Sequence, residues 1–252
     1  MSAAARRTSR RTARIAAVTT AALIGLGGLT ACLPGLGLAD DGPFPGQSGS
    51  QVADRSTEAL KGASSLTVTG TVRDKGKPIQ LDMAVSKSGE CRGTMAMPGE
   101  GSFELIRTAE HIYIKADEAF YRAQVKDMSK NEADAVLKQL VGKWVKSKAS
   151  EQDSKEIAEL CDLDQLLGTF QKTKGTSKGG VEQVDGEYAV KLTTRTKEGT
   201  ETLYVATKGE PYLLKAVLTG QDPASVTFSK FNQPVQAQAP TSDVVDTDNM
   251  GQ

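Results

Sequence analysis

The feature that most limits the fold is an apolar alternation of period two that fills two blocks of the chain and lapses between them. In the first block Leu66, Val68, Gly70 and Val72 alternate with Thr67, Thr69, Thr71 and Arg73. Asp74-Lys75-Gly76-Lys77-Pro78 makes a turn, and Ile79, Leu81, Met83 and Val85 alternate again. Ser88-Gly89 turns the chain into Cys91 to Met97, with Gly93, Met95 and Met97 on one side, and Pro98 to Gly101 turns it back. Phe103 and Leu105 lead across a break near Ala109 to Ile112 and Ile114. Residues two apart in an extended chain share a face, so these runs predict hairpin-linked antiparallel strands, each apolar on one side. The second block predicts four more strands, at 188–192, 203–205, 213–219 and 226–228. The turns around them are rich in Gly, Asp and Pro, which supply the backbone angles that hairpins need.

Between the blocks the period is helical. Ser129 with Glu132 has capping-box spacing, and Ala133, Val136, Leu137 and Leu140 form a stripe that Gly142 can close. A second helical piece runs over 153–160. A third begins near Asp162 or Asp164 and carries Leu163, Leu166, Leu167 and Phe170. A short helix over 51–62, with Val52, Ala53, Ala59 and Leu60 on one face, precedes the first strand. The polar, Gly-rich stretch 172–180 reads as an exposed loop. No repeat of about 20–50 residues occurs. Strands, then helices, then strands predict an α+β domain with helices packed on one face of a large curved antiparallel sheet.

The N-terminus has three parts: a basic stretch to Arg14, an apolar run from Ile15 to Gly28, and Leu29-Thr30-Ala31-Cys32. This is the pattern of an export signal over residues 1–31. The apolar run is shorter than the roughly 20 residues of a spanning helix, and Pro34-Gly35 breaks it, which disfavours an uncleaved signal anchor. The tetrad resembles the lipobox of bacterial lipoproteins, in which a diacylglyceryl group is attached to the cysteine thiol. Cys32 is therefore the expected lipidation site, and the expected location is the extracytoplasmic face of the cell membrane. Ser9-Arg10-Arg11 also resembles the start of a twin-arginine signal, although Ala13 stands where a large apolar residue belongs; both export routes stay open. Residues 32–50, rich in Gly, Pro and Ser, read as a flexible tether. Residues 51–240 read as the domain, and 241–252 as a disordered acidic tail.

Overall net charge is zero, but the first 31 residues hold five arginines and no acid. The remainder has 26 basic against 31 acidic residues, near −5. Phosphate binding needs a basic surface, so no nucleic-acid partner is expected. Beyond Cys32, only Cys91 and Cys161 remain, an even pair in an exported chain. A structural disulfide is the expected reading, worth up to about 4 kcal/mol for so long a loop. A metal pair or redox couple is the alternative, though Cys-x-x-Cys is missing and further metal ligands are few.

A search for catalytic chemistry finds little. His111, the one histidine, reads as a surface residue beside Glu110. No nucleophile elbow, Walker A loop or dinucleotide fingerprint stands in a usable context. Gly46-Gln47-Ser48-Gly49-Ser50 lies in the tether, and the acidic pairs Asp127 with Glu132 and Glu156 with Glu159 read as solvated helix surface. The chain is expected to be non-enzymatic, monomeric, and without metal or cofactor. Met83, Met95 and Met97 share a face with Leu81 and Leu105, and methionine adapts to variable apolar ligands; plain core packing is the other reading.

Several segments together resemble the LppX/LprAFG group of actinobacterial lipoproteins, which shares a fold with the LolA and LolB carriers. They are the lipobox at Cys32, Ser65 to Arg73, Cys91-Arg92-Gly93-Thr94, Gly142-Lys143-Trp144-Val145, Cys161 to Leu167, and Val226 to Val235 with its Asn232-Gln233-Pro234 exit. The resemblance implies a half-barrel sheet wrapped around helices, leaving an apolar cavity that in some members holds acylated lipids or lipoglycans. The cysteine pair and the acidic tail depart from the best-known members. On this resemblance, Leu81, Met83, Met95, Met97 and Leu105 of the sheet would face Val136, Leu137 and Leu140 of the helix across one cavity. The function implied is binding or carriage of an acylated amphiphile. The alternative is a regulatory or protein-interaction lipoprotein whose core is filled.

Overall fold

The structure is a computed structural model that describes residues 42–150, 155–168, 175–197 and 199–247. Helix α1 (Gly49–Gly62) opens it, followed by β1 (Ser65–Asp74), β2 (Lys77–Ser86), β3 (Cys91–Met97), β4 (Gly101–Arg107) and β5 (His111–Ala116). Helices α2 (Glu118–Gln124) and α3 (Lys130–Leu140) intervene before β6 (Trp144–Lys148). Helices α4 (Lys155–Glu159) and α5 (Leu163–Gly168) lead to β7 (Ser177–Val184), β8 (Glu187–Arg195), β9 (Gly199–Ala206), β10 (Leu213–Gly220), β11 (Ala224–Ser229) and β12 (Val244–Asp246).

All twelve strands join one unclosed sheet in the order β12-β6-β5-β4-β3-β2-β1-β11-β10-β9-β8-β7. Two meanders grow outward from β1, one through β2 to β6 and the other, reversed in sequence, from β11 to β7. The α+β half-barrel read from the sequence is the architecture found. Pairing across β1 and β11 requires Gly70, whose φ is +149° and where a Cβ would fall 2.1 Å from the Ser225 carbonyl oxygen. The inner face carries the main core, in which Leu66, Val85, Leu105 and Ile112 meet Leu60 of α1, Leu137 of α3 and Leu163 and Leu167 of α5. A smaller cluster of Val184, Ala189, Ala206 and Leu214 lies apart from it.

The structure departs from the sequence reading in five places. The stretch read as a loop at 172–180 contributes the first residues of β7, although 169–174 lie outside the described residues. Strand β6 and helix α2 were not expected. Asp117 caps α2, and its carboxylate accepts the Phe120 N–H at 2.8 Å.

The expected tether, 32–50, is too long at its C-terminal end. Ser48 and Gln51 form a capping box on α1, Phe44 packs on the core, and Lys178 Nζ donates to the Phe44 carbonyl at 3.2 Å. The tail expected to be disordered from 241 supplies β12, parallel to β6 in an otherwise antiparallel sheet. An edge strand leaves backbone groups unpaired, and three residues suffice to meet them. Trp144 N–H donates to the Asp243 carbonyl at 2.8 Å, and Lys146 pairs with Asp246 at 2.9 Å. Before that, Asn232 accepts the Ser64 N–H at 2.8 Å and Arg92 donates to the Gln236 carbonyl at 3.3 Å, so the segment crosses the outer face.

Candidate ligand-binding face

Cross-strand register sorts the inner face into rows. The deepest joins Leu66, Val85, Cys91, Arg107 and Ile112. The next joins Phe228, Val68, Met83, Gly93, Leu105 and Ile114. A third runs through Leu203, Ala216, Val226, Gly70, Leu81, Met95 and Phe103. The outermost has Thr194, Glu201, Leu218 and Ala224, continued by Val72, Ile79 and Met97. Burial falls along this order except at Thr194, which is buried beside Thr176. Leu66, Val85, Cys91 and Ile112 are essentially sealed, whereas Met97, Ile79, Val72, Leu218 and Glu201 are half-buried.

The sequence-predicted residues divide along the same gradient. Leu105, Met83 and Leu137 are 0%, 4% and 7% exposed and belong to the core. Leu81, Met95, Met97 and Leu140 are half-buried and pack against that core. Val136 is half-buried and stands outside the cluster. From α3 the core cluster takes in Leu137, with Leu140 packed against it.

Cys91 and Cys161 form a disulfide with Cα atoms 5.4 Å apart and both side chains fully buried. It ties the α4–α5 segment to the sealed end of the sheet. Arg107, opposite Cys91, donates from Nη1 to the Ala158 carbonyl at 3.2 Å at the end of α4. Cys32 lies outside the described residues.

A cavity of about 600 Å³ opens where β3, β4 and β5 meet the start of α2 and the turn after α3. Met95, Phe103, Ala116 and Val141 contribute apolar wall, and Glu104, Lys115, Asp117 and Glu118 contribute charge. Burial pushes the Asp117 carboxyl up, but hydrogen bonds from Phe120 N–H and from the Ser102 hydroxyl and N–H outweigh it and hold the group below its ordinary value. The neighbouring glycine, Gly101 at φ +99°, would place a Cβ 2.2 Å from the Phe120 nitrogen. A second cavity of about 480 Å³ lies on the outer face beneath residues 233–236.

Glu201 is the residue that sequence reasoning missed. It falls in step with Leu203 and Val205, two apart along β9, so the alternation that marked those two as inward marks it as well. Burial pushes its carboxyl above the ordinary value. No group of three or more His, Cys, Asp or Glu capable of holding a metal ion occurs among the described residues. His111 begins β5 and lies 3.9 Å from the exposed Glu110 carboxylate. Asp127 and Glu159 are exposed, and Glu132 serves the α3 cap. Among the described residues no helix is long and apolar enough to cross a membrane.

No family model and no curated sequence matches the chain. Solved structures do. LprF from Mycobacterium bovis superposes with a TM-score of 0.54 at 18% identity, covering 77% of this chain and 97% of that one. The chain has the fold of LprF. The Mycobacterium tuberculosis lipoprotein LppX is also similar, with a TM-score of 0.47, 18% identity, and coverage of 75% of this chain and 98% of that one. The LprF-like fold agrees with the architecture that the sequence resemblance implied. It also places the graded inner face on the concave side of a sheet whose two edges do not meet.

Proposed function

We propose that this chain is a non-enzymatic lipoprotein, anchored through Cys32 on the extracytoplasmic face of the membrane, that binds or carries an acylated amphiphile on its inner face. The observation that carries this reading is the half-buried apolar rim, from Met97 and Ile79 through Val72 to Leu218, continuous with a sealed apolar core. An acyl chain laid along such a rim gains roughly 0.8 kcal/mol per buried methylene, with no polar group of its own to satisfy. The signal pattern and lipobox support the anchor, and the LprF-like fold supports a binding scaffold.

A second reading, a regulatory or protein-interaction lipoprotein, is favoured by the burial of Met83, Leu105 and Leu137 in the core. Native mass spectrometry of the full chain, extracted from membranes in mild detergent, separates the two. The binding reading expects an acylated species retained in about one-to-one ratio with the chain. A lipid-free chain that also fails to take up a fluorescent acyl probe favours the second reading. Loss of acyl labelling in Cys32→Ala tests the anchor independently, and retained labelling ends that part of the proposal.

A further inference from the structure

Glu201 is the single charged residue in the rim row of Thr194, Glu201, Leu218, Ala224, Val72, Ile79 and Met97. Its neighbours across the strands are Leu218 and Thr194, and its neighbour two along β9 is Leu203. It is half-buried and has no hydrogen-bond or ion-pair partner among the described residues. The hydroxyl of neighbouring Thr194 shares a hydrogen bond with that of Thr176 at 2.9 Å and makes none to Glu201. A carboxylate partly withdrawn from water and left unpaired is costly, and such a position is explained when something else supplies the partner.

A second unmet polar group lies on helix α1. Helix α1 packs on β7 to β10, and on its buried side Ser56 is 2% exposed with a hydroxyl that finds no hydrogen-bond partner among the described residues. Buried polar side chains are nearly always paired. That hydroxyl is sealed beneath α1, so the unmet polar group that the β9 side of the inner face leaves within reach is the Glu201 carboxylate. The opposite end of the same rim, at Met97 and Ile79, is apolar throughout.

Resting on the binding reading above, we infer that the amphiphile's head sits at Glu201 and is rich in N–H or O–H donors, an amine or a polyol, rather than a free carboxylate or phosphate. The acyl part then lies along the row from Leu218 toward Met97. An anionic head in the same position would face the Glu201 carboxylate across a poorly hydrated surface, where like charges repel far more strongly than in water. Donor-bearing heads gain a charge-assisted hydrogen bond there, which is stronger than a neutral one.

The test uses the full chain in phosphatidylcholine vesicles and three photoreactive probes with one common acyl chain, whose heads are a primary amine, glycerol and a free carboxylate. Labelled peptides are mapped by mass spectrometry at neutral pH. The amine and glycerol probes are expected to label inner-face peptides about tenfold more than the carboxylate probe, corresponding to about 1.4 kcal/mol. Preference for the amine alone over glycerol identifies a cationic head, and equal labelling by both identifies a polyol-tolerant one. Glu201→Gln should bring the three within about twofold, and Glu201→Lys should favour the carboxylate, with melting temperatures showing that both variants fold. Equal labelling by all three in the parent, or an unchanged preference in both variants, overturns the inference and leaves the binding reading standing. Absence of inner-face labelling by every probe overturns both.

Discussion

The two ends of the inner face are made from the same residue types and behave differently. At one end Leu66, Val85, Cys91 and Ile112 are sealed beneath Leu60, Leu163 and Leu167, and the Cys91–Cys161 disulfide clamps the helical segment over them. At the other, Met97, Ile79, Val72 and Leu218 are no less apolar but stay half-buried, and a glutamate joins their row. The difference lies in what covers each end. Hydrophobic stabilisation follows the area removed from water, so the sealed end contributes most to stability and the rim leaves part of its apolar surface uncovered.

Removing the clamp should have the largest effect. Replacing Cys91 and Cys161 together with alanine should cost about 4 kcal/mol, a fall in melting temperature of roughly 8–16 °C for a domain of this size. A fall of only a degree or two would mean that the helices hold the sealed end without it. Next comes a matched pair of truncations. Leu105→Ala, at a fully buried position, should cost about 3 kcal/mol, and Leu218→Ala, on the rim, less than about 1 kcal/mol. Chemical denaturation measures both, and equal costs would erase the contrast between the ends.

Met95 stands between the two regimes, half-buried and packed on the core. If ligand space begins there, Met95→Trp should abolish acyl-probe binding while melting shifts little. If the region is filled, overpacking should cost about 1–3 kcal/mol. Denaturation and probe fluorescence on the same samples decide between those outcomes.

The smallest effect belongs to Glu201. Burial raises its folded-state pKa above the ordinary 4.5, so the folded chain holds the proton to higher pH than the unfolded chain does. Stability contributed by this group is present at low pH and is lost as pH rises from the unfolded value through the raised one. Glu201→Gln should flatten that slope and raise the neutral-pH melting temperature by at most about 3 °C, as scanning calorimetry across pH 4 to 8 would show. A steeper slope in the variant would contradict an unpaired carboxylate.

Much of this was legible along the chain. Period-two alternation marked β1 to β5 and β8 to β11, and it put Leu81, Met83, Met95, Met97 and Leu105 on one face, as the register confirms. Ser129 and Glu132 announced the cap of α3. Strands β6, β7 and β12 gave weaker signals. Trp144 to Lys148 is short and rich in lysine. Ser177 to Val184 carries Gly179-Gly180 with a register shift beside it, and Val244 to Asp246 is three residues long. Their extended conformation is set by the edge strands they join.

By itself the sequence determined which residues point the same way, where the chain turns, which helix is capped, and which two cysteines of the domain could pair. These are local matters of backbone geometry, periodicity and composition. Tertiary structure alone decided which part of the apolar face is sealed and which stays half open. It also brought Gln236 across the outer face and set Val244 to Asp246 against β6. Burial depends on what the folded chain lays over a residue, and the covering elements come from distant sequence. For the same reason Glu201, one acidic residue in an ordinary strand pattern, became half-buried only once Leu218, Thr194 and helix α1 stood around its side of the sheet.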